Sequence, residues 1–300
     1  MTIEEYFTKQ RKLKPSSVRA YMTVLKKLNN NEIPLGIDFL VNYQHVFDYI
    51  EKFKLTTQRS YIITVVQALK SVMGYDDVKD EYETKLQELD YLYNTDVEEY
   101  QKSDNQNENM VSMEELKLVA KFRFDQIKDI DNVDNLTDIY EIYKNAVITG
   151  LYTEIPSIRL EYASIEIIYD EDDIKPKKNY LLVEPHIKSF ILQDYKTVKK
   201  YQEKVFHPTK KLSKLLDEWI ELNPSGYLFV NKTGDGAVKT NTFQSWVPKA
   251  FEPSGKKITL NIIRHIWISD NIDYKVLEKN AELADQMCHS PATQKNYIKI

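Results

Sequence analysis

Three hundred residues, 42% of them hydrophobic, suffice for two ordinary domains, each with its own core. A single cysteine, Cys288, excludes an internal disulfide and any multi-cysteine metal site, and no hydrophobic run approaches the length of a membrane span. The net charge of −5 excludes a chain that is basic throughout, so any contact with a polyanion must come from a local patch.

The N-terminus, MTIEEYFTKQRKLK, carries acidic residues where a signal peptide has an apolar core, which predicts an intracellular protein. Residues 1 to about 100 read as a small helical domain. In PSSVRAYMTVLKKLNN, Pro15 and Ser16 are start signals, and Val18, Tyr21, Val24, Leu25 and Leu28 make one apolar stripe at helical spacing. Tyr61, Ile62, Val65, Val66 and Leu69 do the same in the next long helix, with Gly74 expected near its C-cap. Residues 1–70 hold 11 Lys and Arg against 6 Asp and Glu, whereas 71–111 hold 3 against 12. The basic part, with Arg19 and Lys26 on the first helix, is the part suited to phosphates; a solvated face is the plainer reading of the same charges.

The polar stretch 101–111 is expected to be a linker. Ser112 and Glu115 then form a capping box that opens a second domain, 112–300. Two helical segments follow, and the apolar period then changes to two in YASIEIIY, NYLLVEP, SFILQDYK and EKVFHP, which predicts a small antiparallel sheet. Helical patterns return from residue 210 onward. The fold class expected is therefore mainly α with a small antiparallel sheet (α+β): a helical domain, a linker and a mostly helical second domain.

Within the sheet region, residues 175–214 hold 11 Lys against 3 acidic residues, with Tyr195 and Tyr201 interleaved, a composition that suits a phosphate backbone or a solvated hairpin. Arg264 lies among Ile262, Ile263, Ile266 and Ile268, and a guanidinium in so apolar a helix needs an anion, either a carboxylate or a bound phosphate. Arg159 stands at a helix-to-strand junction with Glu161 two residues on, and His289 and Tyr297 come late in the chain. Two arginines, a basic hairpin, a histidine and a tyrosine together read as a phosphoryl-transfer set. His45, His186 and His207 are scattered and read as structural or exposed. Cys288 reads as a small buried residue.

In this order the residues resemble the tyrosine recombinase (phage integrase) family. CHSPATQKNY resembles the family's GHSSISTTQIY segment and puts His289 and Tyr297 in the matching roles, while NIIRH resembles its HxLRH segment and puts Arg264 at the second arginine. The family's TGLRxSEL pattern would align its arginine with Tyr152; Arg159 in PSIRLEY is the better match and is similar to a divergent form in virus and virophage recombinases. The family's histidine in His-x-x-Arg falls on Asn261, which keeps a hydrogen bond to phosphate but not proton acceptance. For the hairpin lysine the resemblance offers Lys196, with Lys200 second.

The resemblance implies a site-specific recombinase that cleaves and rejoins double-stranded DNA through a covalent 3′-phosphotyrosyl intermediate. Tyr297 would be the nucleophile, Arg159 and Arg264 the phosphate clamp, Lys196 the general acid and His289 a hydrogen-bond donor to the phosphate. Glu161 would orient Arg159, His265 would support the helix, and Lys199 and Lys204 would contact DNA beside Arg19 and Lys26. It implies no cofactor, no metal, no membrane and no small-molecule substrate, a DNA-associated location, and a homotetramer on DNA. Only three residues follow Tyr297, so the expectation is that assembly uses a surface other than a helix beyond the tyrosine, or that the chain has been shortened. Two alternatives stand beside this reading: a type IB topoisomerase, and a catalytically inert DNA-binding protein of the same fold.

Overall fold

Pro15 opens the first long helix, Pro15–Leu28, at the position where its missing N–H leaves no intrahelical bond unmade. The computed structural model describes residues 2–98, 102–288 and 291, and it divides the chain into two units, Met1–Gln101 and Lys102–Ile300. Among the described residues no helix is long and apolar enough to cross a membrane.

In the first unit, helix Pro15–Leu28 buries Val18, Leu25 and Leu28, and helix Leu55–Leu69 buries Tyr61, Ile62, Val65, Val66 and Leu69. Both stripes are those read from the sequence. Helix Leu55–Leu69 packs on Asp76–Glu98, and the Arg59 Nε donates to the Asp90 carboxylate at 2.7 Å across that contact. Tyr82 is fully buried, and its hydroxyl donates to the Leu40 carbonyl at 2.9 Å. Gly74, at φ +89°, lies in the turn before Asp76–Glu98 and not at the C-cap, because the preceding helix already ends at Leu69.

The stretch 101–111 is not structureless from residue 103 onward. Ser103 caps a short helix, Asp104–Asn109, the Asn109 Oδ1 accepts from the Lys257 backbone N–H at 3.0 Å, and Met110 and Val111 pack on the second unit's core. The capping box forms as expected: Ser112 N–H donates to Glu115 at 2.7 Å, and Glu115 N–H donates to the Ser112 hydroxyl at 3.1 Å. Helices Met113–Lys128 and Leu136–Thr153 pack together, with Lys210–Leu222 and Thr240–Ala250 against the latter. Trp219 fills the centre, and its indole N–H donates to the Leu228 carbonyl at 2.8 Å. Arg123 closes the end of helix Thr240–Ala250 by donating to the Lys249 and Ala250 carbonyls at 3.0 Å each.

The sheet has four strands, β1 (Ile165–Ile168), β2 (Asn179–Val183), β3 (Lys188–Leu192) and β4 (Lys204–Phe206), in the order β1-β2-β3-β4. Strands β2, β3 and β4 pair antiparallel, but β1 and β2 pair parallel, so the sheet is mixed and not antiparallel throughout. The reason lies in the connection. Residues 169–178 carry no tight-turn pair and instead cross over through a 3₁₀ turn, Glu171–Asp173, and both strands are almost continuously buried, as parallel strands are. The class itself, mainly helical with one small sheet, is as the sequence predicts.

Candidate active site

Helix Leu136–Thr153 is buried along its whole last two turns, from Ala146 to Thr153. Pro156 cannot continue it, and the chain runs through Ser157, Ile158 and Arg159 into the 3₁₀ turn Glu161–Ser164 that feeds β1. Arg159 therefore sits on an irregular link, which needs a fastening. Tyr152 supplies it: fully buried and edge-on to Tyr162, its hydroxyl donates to the Arg159 carbonyl at 2.8 Å. The Tyr152 carbonyl in turn accepts from the Trp267 indole N–H at 2.7 Å. Trp267 lies about one turn beyond Arg264 on helix Leu260–Asn271, so one buried tyrosine ties together the backbone carrying both arginines.

The two guanidiniums meet at a cavity of about 380 Å³, whose walls include Ser157, Arg159, Glu161, Tyr195, Lys204 and Arg264. Burial first, and then the neighbouring Arg159 charge, push the Arg264 pKa down, while Glu161 pulls the other way. Among the described residues no carboxylate closes a salt bridge with either arginine. Glu161 Oε2 and the Ser157 hydroxyl are buried without a hydrogen-bond partner. Two unpaired guanidiniums and a lysine against one carboxylate leave a site short of negative charge. An anion with oxygens spaced to match the guanidinium fork would supply what is missing and remove the repulsion between the arginines.

The lysine at this cavity is Lys204 and not Lys196. Lys204 starts β4 opposite Leu192, which also lines the cavity. Lys196, Lys199 and Lys200 are exposed on the connection between β3 and β4, and none of them is on the wall. Tyr195, whose hydroxyl donates to the Gln202 carbonyl, is the residue of that connection that reaches the cavity. Asn261 and His265 are exposed on helix Leu260–Asn271 and are not wall residues. Glu161 is on the wall but makes no bond to Arg159, whose fastening is Tyr152. His289 and Tyr297 lie outside the described residues. Arg19 and Lys26 are exposed on the first unit's helix Pro15–Leu28. Cys288 is exposed and not buried, because it follows helix Tyr274–Gln286, where Ala284 is the buried residue. Among the described residues no group of three or more His, Cys, Asp or Glu is placed to hold a metal ion.

No protein-family model matches the chain, and a comparison with curated proteins finds no match. Solved structures do resemble it. A crystal structure of XerA recombinase is 14% identical, with 99% of this chain and 91% of that one covered and a TM-score of 0.34. Lambda integrase bound to DNA is 11% identical, with 92% and 89% covered and a TM-score of 0.47.

Sequence reasoning missed Tyr152 and Trp267 as the fastening of the arginines, and Ser157 as a wall residue. Tyr152 stood in view as the residue aligned with the family's arginine. What no pattern of spacing conveys is that its hydroxyl holds the backbone carbonyl of Arg159.

Proposed function

We propose that the chain is a DNA strand transferase that works through a covalent phosphotyrosyl intermediate, with double-stranded DNA as its substrate. The observation that carries this reading is the meeting of Arg159, Arg264 and Lys204 at one cavity, with no salt bridge among the described residues to satisfy the guanidiniums. Arg159 and Arg264 bind the nonbridging oxygens of the scissile phosphate and stabilise the charge that gathers there in the transition state. The Tyr297 oxygen attacks phosphorus. A Tyr O–P bond forms as the P–O5′ bond breaks, and the leaving 5′-oxygen takes a proton from a lysine. Lys204, on the cavity wall, is the better placed donor; Lys196 remains the assignment that the family motif gives. An ordinary tyrosine ionises near pH 10, so the phenol proton must pass to an acceptor or be loosened by the arginines' charge. Attack by the freed 5′-hydroxyl of another strand on the phosphotyrosine reverses the chemistry and rejoins DNA, so no external energy source is needed. Exchange between two duplexes requires four such sites, hence a homotetramer on DNA, with His289 donating a hydrogen bond to the phosphate.

The test is to incubate the protein with supercoiled and nicked DNA, denature, and recover DNA linked to protein, comparing the parent with Tyr297→Phe. An adduct that vanishes in the variant is the expected result. Binding by both proteins with no adduct from the parent would favour the inert DNA-binding alternative.

A further inference from the structure

A second cavity, of about 570 Å³, shares no wall residue with the first. Its walls come from helix Leu136–Thr153, the turn after Val230 and the start of helix Thr240–Ala250. Lys144 is the residue that makes it unusual. It is only 5% exposed, pairs with Glu141, and holds its ammonium 4.4 Å from the centroid of the Trp246 ring. An ammonium has three N–H donors. One goes to Glu141, and among the described residues no other acceptor meets it. A buried cation with unused donors beside an open cavity invites an anion.

Two further features point the same way. Lys232 and Lys239 stand exposed on the cavity wall, so three lysines oppose the one carboxylate there. Helix Thr240–Ala250 begins at Lys239 without a side-chain cap, which leaves its first-turn N–H groups and the positive end of its dipole toward the same wall. The remainder of the lining joins polar side chains, Asn231, Thr233 and Thr242, to apolar and aromatic surface from Tyr140, Trp246, Val230 and Val238. Cationic donors and aromatic surface thus meet in one site, with the Lys144 ammonium 4.4 Å from the Trp246 ring centroid and 5.9 Å from that of Tyr140, so phosphates and a base would lie side by side. The volume falls in the range of about 300–1,000 Å³ usual for small-ligand sites.

We propose that this second cavity is a nucleotide site, with phosphates held by Lys144, Lys232 and Lys239 and the base lying against Tyr140 and Trp246. The nucleotide is either a free nucleoside polyphosphate or the end of a single strand of nucleic acid, which present the same chemistry.

The proposal is tested on the full chain by calorimetric titration with ADP. Saturable binding at this cavity is expected, and the exposed pair Lys232→Ala and Lys239→Ala together should weaken it by about tenfold or more, whereas any additional binding that Arg264→Met removes belongs to the first cavity. Lys144→Gln, checked for folding by circular dichroism, should weaken it as well. A short single-stranded oligonucleotide is the second arm. Displacement of ADP by it assigns the site to a strand end, and failure to displace assigns it to the free nucleotide. Absence of saturable binding by either probe up to about 5 mM, or binding indifferent to the lysine pair, overturns the proposal. Equal affinity for inorganic pyrophosphate and ADP overturns its base half.

Discussion

The hydroxyl of Tyr152 donates to the backbone carbonyl of Arg159 at 2.8 Å, so the first arginine of the site is held by its main chain, leaving its side chain for a ligand. Tyr152→Phe keeps the ring packed on Tyr162 and removes only that bond. The expected cost is about 1–2 kcal/mol of stability by urea unfolding, because the Arg159 carbonyl loses its donor. Adduct formation should slow together with it, since the arginine is then less well placed. A variant as stable and as fast as the parent would show that the bond positions nothing.

Among the described residues Arg264 is paired by no carboxylate, and burial and the Arg159 charge both disfavour its charged form. Arg264→Met should therefore melt at the same temperature as the parent or above it, even as adduct formation falls by roughly 10²–10³. Added phosphate or sulfate should raise the melting temperature of the parent and leave that of the variant in place.

Lys204→Ala and Lys196→Ala separate the two candidate proton donors. With Lys204 as the donor, its loss lowers the cleavage rate by about 10²–10⁴, whereas loss of Lys196 weakens DNA binding and little else. A substrate whose bridging 5′-oxygen is replaced by sulfur needs no proton on leaving and should restore cleavage to Lys204→Ala. Restoration in Lys196→Ala instead would return the role to that residue.

Gly150 sits where an added Cβ would lie 3.0 Å from both Leu212 Cδ1 and Phe124 Cζ. Gly150→Ala should cost about 1–3 kcal/mol, the overpacking strain exceeding the gain in helix propensity, and chemical denaturation measures it directly.

Burial pushes the tyrosine pKa of Tyr140 up to about 12, and burial drives those of Tyr82, Tyr152 and Tyr162 upward as well. Raised values in the folded state mean that these rings add their full stability below the unfolded tyrosine pKa of about 10 and lose it as pH climbs through the folded one. Stability should therefore fall above about pH 10. In a spectroscopic titration this group should ionise only as the chain unfolds. Smooth ionisation of all 21 tyrosines below the unfolding transition would contradict the burial described above.

The helices were legible because their evidence is local. The stripe from Val18 to Leu28 and the Ser112–Glu115 box each state their structure within a few residues. Arg264 was legible as a guanidinium among isoleucines, and Arg159 through the PSIRLEY resemblance. Their meeting at one cavity was not, since 105 positions separate them and only the packing of Tyr152 under Trp267 closes the gap. The parallel pairing of β1 and β2 stayed hidden because alternation of side chains marks a strand without giving its direction. The lysine that reaches the cavity is not the one the motif offers, for a reason of register: Lys196 follows β3 closely in sequence and is exposed on the connection, whereas β4 brings Lys204 opposite Leu192.

Strand β4 is an edge joined to β3 by three register pairs, and Lys204 occupies the last of them, next to the long connection, while Phe206 is stacked on Phe190 at the other end. The arginines are anchored through a buried tyrosine; the lysine is held only by the end of an edge strand. If Lys204 is the acid of the proposed reaction, a partner that grips the connection between β3 and β4 would act on the acid and not on the clamp, so cleavage would be separable from capture. Amide exchange at Lys204 and Val205, fast in the lone protein and slowed on DNA, would register that grip, and equal rates in both states would show its absence.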